Sequence, residues 1–107
     1  MGKEIKVRDK ENNTYVLTFT AETVKATEGR GFVLEELDKK PMTMMPLLLE
    51  GAFLAKEANR VSPEKVIEIW QNVKDKQGVL QKLIILYNDP IDEMFATEGN
   101  AEWECNF

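Results

Sequence analysis

The chain has 107 residues, 43% of them hydrophobic and 31% charged, which is enough for one domain with its own core and too apolar for a disordered segment. It has no histidine and a single cysteine, Cys105; this leaves out the usual base near neutral pH, Ser/His and Cys/His nucleophile pairs, an intrachain disulfide and a thiolate metal cluster. Nineteen acidic against fourteen basic residues give a net charge of −5, which repels nucleic-acid phosphate, and no basic patch stands out against it.

In chain order, Glu4-Ile5-Lys6-Val7-Arg8 alternates polar with apolar residues, and so does Thr14 to Phe19, where Tyr15, Leu17 and Phe19 share one face. That period of two predicts strands, and the polar stretch Asp9 to Asn13 between them predicts an antiparallel hairpin. Thr20 is placed to cap a short helix beginning at Ala21, and Gly29 or Gly31 supplies the left-handed residue that ends it. Phe32 to Leu37 reads as a connecting turn of helix or extended chain, closed by Pro41.

The segment Pro41-Met42-Thr43-Met44-Met45-Pro46-Leu47-Leu48-Leu49-Glu50-Gly51-Ala52-Phe53, continued to about Asn59, predicts a helix that is apolar nearly all the way round, capped by Thr43 with Pro46 in its first turn. Met44, Leu47, Leu48, Gly51 and Ala55 fall on one face, and Met45, Leu49, Ala52 and Phe53 on another. Such a helix must be covered twice. It is either wholly enclosed by its own fold, or it packs Leu47, Leu48 and Gly51 inward and offers Met42, Met45 and Leu49 to a partner, a task that suits methionine's flexible, polarizable side chain.

Ser62-Pro63-Glu64 combines a capping hydroxyl, proline at the first helical position and an acid near the positive end of the dipole, so a helix starts there with Val66, Ile67, Trp70 and Val73 as its apolar stripe. Val79, Leu80, Leu83, Ile84 and Tyr87 recur at helical spacing through the next one. Asp89-Pro90 repeats the cap-and-proline signal and predicts a separate short helix to about Ala96, ended by Gly99. The expected fold is α+β in a single domain: an N-terminal antiparallel β-hairpin over residues 1–20, a mostly helical bundle of four to five helices over 21–97, and an acidic, aromatic tail over 98–107. The longest apolar run, Met44 to Leu49, falls far short of the ~20 residues needed to span a bilayer, and Met1-Gly2-Lys3-Glu4 has no signal-peptide character, so a cytoplasmic protein is expected.

Charge is uneven along this order. Asp89 to Phe107 contains six acids and no Lys or Arg, interleaved with Met94, Phe95, Trp103 and Phe107, while the preceding residues are close to neutral. Three readings of this end stand side by side: a solvated, frayed terminus, the commoner case for such a segment; an interaction tail that docks Trp103 on a partner; or a strand, Asn100 to Cys105, added beside the hairpin. The adjacent acids Glu35-Glu36 and Asp92-Glu93 point apart on a helix, and Gly29-Arg30-Gly31 lacks the Lys-Ser/Thr of a phosphate loop. No catalytic, cofactor or metal site is expected; the candidate functional residues are partner-binding ones, Met42, Met44, Met45, Leu49, Phe53 and Trp103.

Thr18-Phe19-Thr20-Ala21-Glu22-Thr23-Val24, Gly31-Phe32, the Pro41 to Phe53 segment, Leu83-Ile84-Ile85-Leu86-Tyr87-Asn88 and the closing Glu98-Gly99-Asn100-Ala101-Glu102-Trp103 together resemble the tail assembly chaperones of long, non-contractile-tailed phages and prophages of Gram-positive bacteria. The resemblance covers most of the chain and lies in packing residues, without a catalytic signature. It implies a non-enzymatic protein that coats the hydrophobic, largely helical tape measure protein in the host cytoplasm during virion morphogenesis. It also implies a longer, frameshifted form that recruits the tail tube protein. A homo-oligomer is permitted, and neither nucleic acid nor membrane is an expected partner. The alternative is an acidic phage or prophage regulator, antitoxin-like, that occupies a nucleic-acid-binding partner with its carboxylates.

Overall fold

A computed structural model describes residues 3–58, 60–96 and 98–106. It is an α+β fold: β1 (Ile5–Arg8) and β2 (Thr14–Leu17) form an antiparallel hairpin, followed by α1 (Ala21–Gly29), a 3-10 turn at Leu34–Glu36, α2 (Pro41–Glu57), α3 (Pro63–Gln71) and α4 (Lys76–Ala96). Ile5 pairs with Leu17 and Val7 with Tyr15, so these four side chains share the sheet face that meets the helices. The turn between the strands is held by Asp9, whose carboxylate accepts the backbone N–H groups of Glu11 and Asn13, both at 2.9 Å.

Local chemistry sets the helix ends. The Thr20 hydroxyl accepts the Thr23 N–H, and the Thr23 hydroxyl in turn accepts the Thr20 N–H. At the other end of α1, Gly31 takes φ of +102°, and the N–H groups of Gly31 and Phe32 close back on the carbonyls of Glu28 and Thr27. A side chain at that φ is strained, so of the two glycines considered Gly31 is the one the turn requires. Ser62 caps α3 through the Lys65 N–H as its sequence predicts. Asp75 caps α4, accepting from the Gly78 N–H, and Lys76 donates to the carbonyls of Gln71, the last residue of α3, and of Val73 beyond it.

Two proline signals are overridden. Asp89-Pro90 starts no helix: α4 runs through it as one element of 21 residues. Pro90 forfeits the bond to the Leu86 carbonyl, but Leu83, Leu86 and Tyr87 before it and half-buried Ile91 after it lie against one core, and packing a continuous face outweighs the local break. Asp89 pairs instead with Lys3 at 3.2 Å. Pro46 likewise sits inside α2, which begins at Pro41 rather than after Thr43. The C-terminal end predicted for that helix, Asn59, lies outside the described residues, and α2 ends at Glu57.

The core gathers around α2, which packs against β2, α1 and α3. Leu48, Leu49 and Ala52 are essentially inaccessible, and Leu17, Phe53, Val66 and Leu83 close over them. Tyr87 brings α4 into the same cluster: the rings of Phe19 and Phe32 meet it edge-on, with centroids 5.2 Å and 5.0 Å away. The stripe predicted for α3 is turned slightly, with Ile69 buried beside Val66 while Ile67 and Trp70 are half-buried.

Candidate functional site

The buried surface of α2 wraps further round the helix than two opposed faces allow. Leu49 is 1% exposed, and Met44 and Phe53 are also core residues. These three predicted partner-binding positions are corrected to core: β2 and α3 cover the side that was open to a partner, Phe53 packs on the Tyr15 ring, and the Met44 sulfur accepts the Val33 N–H at 3.4 Å. Met45 is half-buried against the core. Met42, in the first turn, is 89% exposed.

The larger exposed apolar surface lies elsewhere. Every described residue of α4 from Asp92 onward and of the following segment to Asn106 is exposed, so the end of α4 and the tail form an arm standing off the core. The molecule is 60 Å long and 32 Å in its second dimension, and its radius of gyration of 16.0 Å exceeds the roughly 13 Å of a compact chain of this size. On this arm Met94 is 79%, Phe95 82% and Trp103 86% exposed, each within reach of Asp92, Glu93, Glu98, Glu102 or Glu104 along the chain. Asn100 to Cys105 does not pair with the hairpin; among the described residues the sheet has two strands. Trp103 therefore keeps its place as a candidate contact residue. Met94 and Phe95, which sequence reasoning noted only as interruptions in the acid, join it.

A second feature is a cleft of about 540 Å³ between β1 and the α3–α4 corner. Its apolar floor is Ile5, Val7, Ile69, Val73 and Val79. The basic residues Lys6, Arg8, Lys10, Lys65 and Lys74 border it together with the acids Asp9, Glu11 and Glu68. Two of those acids are already engaged: Glu68 pairs with Lys65 at 3.2 Å, and Asp9 is held by the hairpin turn. Desolvation works against the Asp9 charge, but hydrogen bonds from the Asn13 backbone and side chain and the Glu11 N–H, helped by Lys65, hold its carboxyl below its usual value. The Glu68 hydrogen bond and charge raise the Lys65 ammonium above its own.

The strand edges differ. The outward N–H of Val16 on β2 donates to buried Glu57 at 2.8 Å, and that of Thr18 donates to the Ala52 carbonyl of α2 at 3.0 Å. Arg60 completes this corner, pairing with Glu57 at 2.8 Å and stacking over the Tyr15 ring. Sequence reasoning missed Glu57, although a signal existed: it follows Leu49 and Phe53 at helical spacing, an acid on the buried stripe. Because Val16 points its backbone groups outward, so does Lys6 opposite it, and Glu4 and Arg8 follow by alternation. This β1 edge has no paired strand among the described residues.

Among the described residues no three His, Cys, Asp or Glu side chains gather to hold a metal ion, and no helix is long and apolar enough to cross a membrane. What the fold and its surfaces define is a small α+β domain with one covered and one open strand edge and an exposed acidic, apolar arm. The chain belongs to the family described as Domain of unknown function (DUF5055), whose model matches residues 1–107. No curated protein and no solved structure matches it.

Proposed function

We propose that this chain is a tail assembly chaperone, a non-enzymatic protein of the bacterial host cytoplasm that binds apolar helical stretches of a tape-measure-like protein and keeps them soluble. The observation that carries the reading is the exposure of Met94 and Phe95 on the overhanging turn of α4, joined to exposed Met42 on α2. Unbranched or flat apolar side chains on an exposed helical end can pack against an apolar helix, and methionine adapts to an irregular one. The neighbouring acids supply solubility to a surface that would otherwise self-aggregate.

Each copy offers little area, so affinity per copy is modest, and a long client carrying many copies gains by avidity. Binding rests on apolar burial and depends weakly on salt. A longer form that also recruits the tail tube protein belongs to the same proposal. The antitoxin-like reading is weaker, because a carboxylate mimic of nucleic acid gains nothing from exposing Met94, Phe95 and Trp103 among its charges.

Co-expression with a phage tape measure protein tests the proposal. The client is expected in the soluble fraction, co-eluting with this chain on sizing. A client no more soluble with the chain than without it overturns the reading.

A further inference from the structure

The arm and the cleft complement one another, and the complementarity is detailed enough to assign an occupant. An extended segment at the β1 edge would find outward N–H and C=O groups at Lys6 and flanking positions, the template for adding a strand. Its side chains would alternate between the face of Ile5 and Val7, which looks into the cleft, and the face of Lys6 and Arg8. Ala101-Glu102-Trp103-Glu104-Cys105 has that alternation: Trp103 falls on one face, Glu102 and Glu104 on the other.

Run antiparallel to β1, the segment places Trp103 over the apolar floor, Glu104 beside Lys6 and Glu102 beside Arg8, while uncharged Asn106 falls opposite Glu4. Among the described residues Arg8 has no carboxylate within ion-pair distance, and Lys6 reaches only Glu4, at 4.0 Å. A cleft of about 540 Å³ lies inside the roughly 300–1,000 Å³ range of sites that bury a ligand of this bulk.

The same copy cannot easily supply this strand. Val79, which lines the cleft, and Ala96, at the end of α4, are separated by about 25 Å of helix. The seven residues from Ala96 to Trp103 span at most about 25 Å fully extended, which leaves none for the reversal. A second copy has no such limit. We infer that residues Ala101 to Cys105 of one copy add as a third strand to the open β1 edge of another, seating Trp103 in the cleft between β1 and α3. The contact joins unlike surfaces, so it closes as a reciprocal pair or continues from copy to copy. It stands on the edge, the cleft and the tail, independently of any client.

Analytical ultracentrifugation of the full chain tests the inference with paired charge reversals, Lys6→Glu/Arg8→Glu on the outer face of β1 and Glu102→Lys/Glu104→Lys in the tail. All four side chains are exposed, and circular dichroism verifies that each variant folds. The wild type is expected to associate with rising concentration, more weakly as salt rises. Each reversal alone, and Trp103→Ala, should weaken association about tenfold or more, and an equimolar mixture of the two reversed variants should recover it. A wild type that stays monomeric at every concentration overturns the inference. So does association indifferent to both reversals, or a mixture that fails to recover it.

Discussion

The carboxylate of Glu57 accepts the backbone N–H of Val16 at 2.8 Å, a bond across 41 residues that fastens the last turn of α2 to the outer edge of β2. With the Thr18 N–H bound to Ala52, it closes that edge to other strands and leaves β1 as the open one. Because Glu57 is buried, the bond is a structural dependence: without the carboxylate a strand N–H loses its acceptor and Arg60 its partner.

Glu57→Ala should therefore destabilise the fold by about 2–4 kcal/mol in urea unfolding. Glu57→Gln keeps an acceptor at the same reach and should lose only about 1 kcal/mol. Equal losses would mean that the bond to Val16 contributes little.

Gly51 lies where α2 packs against Thr27 of α1. A Cβ built there collides with the Thr27 hydroxyl and comes to 3.0 Å from the Phe19 ring. That hydroxyl is pinned by its own bond to the Thr23 carbonyl at 2.7 Å and is fully buried. Gly51→Ala should cost about 1–3 kcal/mol by overpacking, and Thr27→Ala in the same chain should recover part of it, as a double-mutant cycle would read.

The corrected faces of α2 separate cleanly in stability. Leu49→Ala should cost about 2–5 kcal/mol, as should Leu48→Ala, because both are core residues. Met42→Glu should change stability by less than about 0.5 kcal/mol. Thermal unfolding of the three variants checks the ranking.

Burial, with Glu28 and Glu35 nearby, pushes the Tyr87 phenol up to about 12 from its usual 10.0. The neutral form is the one the core favours, so the stability it contributes is complete below pH 10 and is lost as pH rises toward about 12. Tyr87→Phe should flatten the fall in stability over that window, measured by denaturant unfolding at a series of pH values.

Where local chemistry decides structure, the residues are readable: the alternation of Ile5, Val7, Tyr15 and Leu17, the Thr20 and Ser62 caps, and the Gly31 turn all stand as their sequence predicts. Reading failed where distant packing prevails. Pro90 looks like a helix start until Tyr87 and Ile91 are seen against one core. Leu49 and Phe53 look available until β2 and α3 arrive on their side of α2. The cleft is not legible at all, because Lys6 and Val73 meet only through the fold, whereas the exposure of Met94 and Phe95 was open to inference from the acids around them.

The central claim, that the exposed end of α4 holds an apolar helical client, is tested most directly by titrating a soluble tape-measure segment into the wild-type chain and into Met94→Glu/Phe95→Glu by calorimetry. Both side chains are exposed, so the variant should unfold at the wild-type temperature. The account predicts binding by the wild type that changes little with salt and falls about tenfold or more in the variant. Equal binding by both proteins, or none by the wild type, would contradict it.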